Sequence, residues 1–227
     1  MKKYELTAEF IEKWGKKLFR IKALISFESV EVGELGGYVE KEDNLAQTGN
    51  AWVYGDAEVY GNARVSGNAR VYGDAEVYGN ARVYGDAWVY GDAEVYGNAW
   101  VYGDAEVYGN ARVSGDAEVY GNARVSGDAR VSGNAWVSGN ADYLLIGRIG
   151  SRFGFTTFFK NKDKGITVSC GCFLGTIAEF RAKVTDTHGN NKHAKMYNLA
   201  ADMAELQILG EEHFDRQSTL GGRQWEI

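Results

Sequence analysis

The chain has 227 residues, with 25 Lys and Arg against 31 Asp and Glu for a formal net charge of −6, and it holds 30 glycines, no proline and two cysteines. That length bounds one or two ordinary domains, and two cysteines do not build a disulfide framework. No run of eighteen apolar residues is present, which argues against a membrane-spanning helix.

The charge is unevenly spread. Residues 1–49, 50–142 and 143–227 carry −1, −7 and +2. An acidic middle is a poor general binder of nucleic acid, because such binding works by neutralising phosphates. The opening MKKYELTAEF has two lysines but no apolar core, so it does not read as a secretory signal. A cytoplasmic protein without membrane contact is the expectation.

Residues 1–50 read as a β cap. Tyr4–Thr7 and Leu18–Leu24 are strand-like, with Gly15-Lys16-Lys17 as the turn, and Glu34–Glu40 reads as an irregular first coil. Stacked coils leave open strand edges that need covering, and a cap supplies the cover.

From Ala51 to Asp142 the unit A-x-V-[YS]-G-[ND] repeats without interruption, placing fifteen valines at every sixth position from Val53 to Val137. Helical burial gives spacings of three and four, and a simple strand gives strict alternation. A period of six with a glycine in each unit fits a short strand followed by a corner. Valine points inward, its two neighbours point out, and Gly-Asn or Gly-Asp turns the chain. Three sides close a coil of eighteen residues. The expected fold is therefore mainly β: a parallel β-helix of about five coils over residues 51–142, roughly 24 Å tall at ~4.8 Å per coil.

Residues eighteen apart share a face. The first face collects Trp52, Tyr54, Tyr72, Trp88, Tyr90 and Tyr108, the longest aromatic row. Such rows either stabilise their own sheet or mark a contact surface, and these six residues are the candidate subunit interface. Glu58, Glu76 and Glu94 form a like-charge ladder, read as a solvated face with a weak cation site as the alternative.

The unit G-[ND]-A-x-V-[YS] resembles the hexapeptide repeat of left-handed β-helix proteins, the fold of many acyltransferases. The resemblance implies a left-handed coil and assembly as a homotrimer. L-x-R-I-K-A-L followed by L-G-G-Y-V-E-K-E-D-N-L in the cap is similar to the start of hexapeptide-repeat proteins of phages and prophages. I-G-x-I-G-S-R, T-T-F-F, V-S-C-G-C-F-x-G-T and T-H-G-x-N-K-H-A resemble a C-terminal module of the same proteins, often labelled as transferases. A separable head with no established activity is what that resemblance implies.

Residues 143–227 read as this small α/β (ββαα) head. Gly147–Arg152 is expected to be a loop, Thr156–Lys160 and Ile166–Cys170 strands, and Lys162–Gly165 the turn between them. A helix opens at Gly175 or Thr176 with Ile177, Phe180 and Val184 on its apolar face and ends near His188-Gly189. A second helix runs from Asn191 to Leu209, and its stripe of Met196, Leu199, Met203 and Leu206 is expected to face the core.

Candidate chemistry is sparse. Hexapeptide acyltransferases need a general base, usually a histidine near a subunit boundary. Residues 51–142 contain no histidine, no lysine and no inserted loop. A shared fold does not carry a shared reaction. Cys170 and Cys172, two apart on one strand face, with His188 and His193, form a conceivable zinc set, although C-x-C is tighter than ordinary finger spacing. Ser151, Arg152, Lys160, Asn190 and Lys192 offer donors for an anion or phosphate. No cofactor is expected. The reading is a non-enzymatic binding protein, a phage accessory protein that binds and inhibits or sequesters a component of host defence, either a host protein or a phosphate-bearing small molecule. An acyltransferase-like enzyme and a structural virion component are the alternatives.

Overall fold

Every one of the fifteen repeat valines is buried, and so is the alanine two residues before each of them. In the computed structural model, which describes residues 2–211, those side chains fill the inside of a parallel β-solenoid. Pairing in steps of eighteen residues joins Val53 to Val71, Val89, Val107 and Val125 on one side. Val59, Val77, Val95, Val113 and Val131 align on a second, and Val65, Val83, Val101 and Val119 on a third. Each buried valine contributes about 1.5–3 kcal/mol. Backbone groups are met by the next coil, as in Glu58 N–H to Ala75 O at 2.9 Å and Tyr60 N–H to Val77 O at 3.0 Å. The chain divides into two units, Met1–Asn134 and Ala135–Ile227.

Two strands, β1 (Tyr4–Lys13) and β2 (Lys16–Ala23), form an antiparallel hairpin. Its turn is Trp14-Gly15, both at positive φ, the geometry that matches strand twist in two-residue loops. Strand β3 (Leu35–Val39) pairs antiparallel with β2 on one side and parallel with Glu58-Val59 on the other. The expected irregular first coil is thus a true rung, and the sheet beginning with β3 has six parallel rungs. The hairpin covers the edge that the column would otherwise leave open.

Two side chains seal this end. The Lys3 ammonium donates to Ala51 O at 2.8 Å and lies 5.0 Å from the Phe27 ring centre. Burial pulls its pKa down to about 8. Trp52 is fully buried and meets Tyr4 and Phe27 edge to face at 6.1 and 5.4 Å. It therefore belongs to the core beneath the cap and is not available to a subunit interface. Sequence position placed it on an outer face, but the cap folds over that face at the first coil.

In the second unit the two expected strands are the central pair of a four-stranded antiparallel sheet, in the order Tyr143–Ile149, Gly154–Lys160, Ile166–Cys170, Phe173–Thr176. The stretch read as a loop from Gly147 is strand as far as Ile149. Gly147 lacks a side chain there because a Cβ would lie 2.0 Å from the Phe155 ring, so this glycine marks a close approach within the sheet. Helix α1 (Ile177–His188) starts at a reciprocal cap: Thr176 Oγ1 accepts from the Glu179 N–H and Glu179 accepts from the Thr176 N–H. Helix α2 (Lys192–Leu209) is capped by the Asn191 side chain.

The core of this unit gathers Phe158, Val168, Phe180 and Val184 with Ala194, Ala201, Ala204 and Ile208 of α2. The expected stripe of α2 is not in it. Met196, Leu199, Met203 and Leu206 are exposed. At 100° per residue they lie opposite the alanine face, and small side chains allow the helix to sit close on the sheet. Both faces of α2 have apolar periodicity, and hydropathy ranks the Met/Leu stripe above the alanine one. Arg181 of α1 pairs with Asp202 and the buried Glu205 of α2, both at 2.7 Å.

Candidate functional site

Three candidate residues of the second unit, Arg152, Cys170 and His188, lie around a side chain absent from the sequence reading, Tyr197. Its ring meets Phe180 edge to face at 5.7 Å and stacks on His188 at 5.7 Å. The Gly150 backbone presses on the phenol so closely that a Cβ would lie 1.9 Å from the hydroxyl oxygen. Burial raises the phenol pKa, the neighbouring and hydrogen-bonded Cys170 thiol adds to that, and Arg152 opposes it. The Thr156 hydroxyl lies 3.2 Å from the same sulfur. Tyr197 thus links Arg152 on the loop, Cys170 at the end of a strand and His188 at the end of α1. His193 stands 5.9 Å from His188. A tyrosine at one position of a helix carries no motif, so only proximity in the fold exposes it.

The proposed anion set is divided. Ser151, Arg152, Asn190 and Lys192 are exposed. Lys160 is held elsewhere, 3.2 Å from Asp142. Arg152 precedes the Gly154–Lys160 strand and Lys160 ends it, so the two lie about 20 Å or more apart at ~3.3 Å per residue. Asp142 is fixed by the Ser138 hydroxyl at 2.6 Å, and hydrogen bonds from Ser138 and Lys160 lower its pKa against the effect of burial. Lys160 is therefore a partner of Asp142 and does not join Arg152.

The zinc set is not assembled. Among the described residues no three His, Cys, Asp or Glu side chains are placed to share a metal ion. The assumption that Cys170 and Cys172 share a strand face fails at Gly171. The strand ends at Cys170, which pairs with Phe173, and Gly171 at φ +61° turns the chain between the two cysteines. Cys172 is exposed and Cys170 half-buried.

On the column, tyrosines stack nearly parallel on all three sides. Tyr72, Tyr90 and Tyr108 follow at 4.8 Å, Tyr60, Tyr78 and Tyr96 at 5.0 and 4.9 Å, Tyr84, Tyr102 and Tyr120 at 4.9 and 5.1 Å. The first side is thus no longer a special aromatic row. Tyr54, Tyr72, Tyr90 and Tyr108 are half-buried and Trp88 is exposed beside them. Arg70 lies over the Trp88 ring at 5.2 Å and pairs with Glu28 of the N-terminal cap at 2.7 Å. With Asp86 and Asp104 they line a cleft of about 400 Å³.

The glutamate ladder is neutralised from within. The Lys13 ammonium of β1 bridges Glu58 and Glu76 at 2.5 and 2.8 Å, and Arg112 pairs with Glu94 at 2.8 Å. Tyrosine hydroxyls donate to carboxylates sixteen residues ahead: Tyr60 to Glu76 at 3.0 Å, and Tyr78 to Glu94, Tyr90 to Glu106 and Tyr102 to Glu118 at 3.1 Å. The place considered for a cation holds a lysine of the chain itself.

Coils of eighteen residues in parallel register define a β-solenoid protein. Its repeat is similar to a known one: a family model described as the YdcK beta solenoid repeat matches residues 57–73, 63–77, 75–91, 105–121 and 117–131. No curated protein matches the chain.

Proposed function

We propose that the protein is a non-enzymatic binding protein, in which the solenoid is a stiff support and the second unit carries the ligand site around Arg152 and Tyr197. One observation carries this reading. The carboxylates Glu76, Glu94, Glu106 and Glu118 on the column each accept a tyrosine hydroxyl of the same column, so they are committed to holding coils together. A general base has to be free to take a substrate proton. The stretch 51–142 also lacks histidine and lysine.

In the second unit, the Arg152 guanidinium, the Ser151 hydroxyl and the backbone N–H groups after Gly150 at φ +74° form a donor set suited to phosphate. The ligand class is a phosphate-bearing small molecule. The setting we propose, from the resemblance of the repeat and the C-terminal motifs, is a phage accessory protein that sequesters such a component of host defence.

Titrating the labelled protein with inorganic phosphate and with adenosine 5′-monophosphate, followed by NMR, tests this. Saturable shifts at Ser151 and Arg152 that disappear in Arg152→Ala are expected. Saturable acetyl-coenzyme A binding with acyl transfer to an acceptor would overturn the reading.

A further inference from the structure

The face of α2 turned away from the sheet is apolar from Met196 to Leu206. Met196, Leu199, Met203 and Leu206 are exposed at 39, 53, 56 and 45%. Their spacing of three, four and three is that of a seam between two helices. The same helix already buries Ala194, Ala201, Ala204 and Ile208 on its opposite side. The stripe therefore does not anchor α2 to its own unit. Roughly 350 Å² of it faces solvent, the size at which an apolar patch on a monomer marks a contact surface.

We infer that α2 pairs antiparallel with α2 of a second copy through this stripe. A twofold axis centred between Leu199 and Met203 sets Met196 against Leu206 of the second copy and Leu199 against Met203. Every contact is then a flexible methionine against a leucine, and the four contacts are identical in pairs, as an isologous interface requires.

Charge decides the direction. Lys192 is exposed in line with the stripe at the first residue of α2, and Glu211 is exposed just beyond its last turn. Antiparallel pairing brings Lys192 to the second copy's Glu211 and to the negative end of its helix dipole, twice by symmetry. Parallel pairing would set Lys192 against Lys192 and align the dipoles. A helix of 18 residues is about 27 Å long. Two such stripes with their flanking side chains bury roughly 1,000 Å², the low end for a specific interface, the size class of weak, reversible association.

The test is sedimentation velocity on the full chain from about 1 to 200 µM, a span suited to weak association. A monomer–dimer equilibrium is expected. Leu199→Glu with Met203→Glu should raise the dissociation constant about 100-fold or more, with the circular dichroism spectrum unchanged because both side chains are exposed in the single copy. Lys192→Glu should weaken the dimer about tenfold, and Glu211→Lys in the same chain should restore it. A chain that stays monomeric at about 200 µM overturns the inference. An oligomer indifferent to the Leu199/Met203 variant, a trimer included, also overturns it. Failure of the charge exchange to rescue refutes the antiparallel direction.

Discussion

Lys13 tests how the cap holds the column. Its ammonium sits between Glu58 and Glu76 at 2.5 and 2.8 Å, and the three side chains are 23, 15 and 28% exposed. Replacing it by methionine keeps the stem and removes the charge. Two carboxylates then face each other one coil apart, at ~4.8 Å. At an effective dielectric of 20 their repulsion is about 3 kcal/mol. Partial exposure lets them splay and draw counterions, so a loss of about 2 kcal/mol is expected, between an exposed pair and a buried one. The midpoint of the first unit should fall by about 4–8 °C by calorimetry. Amides of the β1–β2 hairpin should exchange faster. Adding Glu76→Gln should return more than half of the loss, because it removes the repulsion.

The pH dependence has a defined sign. Burial opposes the charge on Lys13, but its hydrogen bonds to Glu58 and Glu76 and their charges raise its pKa above the usual 10.5. A base with a raised folded pKa contributes fully below its unfolded value and loses that contribution as pH climbs through the folded one. The difference between wild type and Lys13→Met should therefore be constant at neutral pH and shrink above 10.5. An unchanged midpoint in Lys13→Met, or a loss that Glu76→Gln does not repair, would refute the reasoning.

Three further outcomes follow from the geometry. Gly85 has φ +73°, and a Cβ there would lie 2.9 Å from the Gly103 nitrogen of the next coil. Gly85→Ala should cost roughly 2–3 kcal/mol in urea unfolding, from the left-handed backbone and the close contact, whereas Gly154→Ala, with open space around it, should cost less than about 0.5 kcal/mol. Arg181→Met strips the buried Glu205 of its 2.7 Å partner and should destabilise the second unit by about 3 kcal/mol, read from helical circular dichroism in denaturant, with Glu205→Gln restoring much of it. Burial and the Glu106 carboxylate push the Tyr90 phenol up to about 12, and Tyr60, Tyr78 and Tyr102 are raised further for the same reasons. These groups contribute fully below the unfolded value of 10 and lose that contribution as pH rises through the folded ones. Ultraviolet titration should show their ionisation only as the column unfolds, and phenols that titrate reversibly near 10 with the fold intact would contradict the hydroxyl–carboxylate ladder.

The solenoid was legible because one residue in six repeats a local instruction. Valine fits a buried strand position, glycine fits a corner at positive φ, and the same geometry recurs at every step. The helices were legible for a similar reason, since Thr176 and Glu179, or Asn191 with the backbone of His193 and Ala194, form caps from neighbours in the chain. Properties that depend on distant residues were not. Trp52 has the same local sequence as Trp88, but the cap folds over the first and leaves the second exposed. The Met/Leu stripe of α2 is more hydrophobic than the alanine face, but close packing on a sheet selects small side chains, so the alanines went inside. Cys170 and Cys172 satisfy strand alternation on paper, and a glycine turn separates them. Lys160 and Arg152 are eight residues apart and lie at opposite ends of one strand, whereas Tyr197 joins Arg152, Cys170 and His188 across the sheet and both helices. Local conformation is determined by neighbours in sequence. Burial and the meeting of side chains are determined by which surfaces the folded chain brings together.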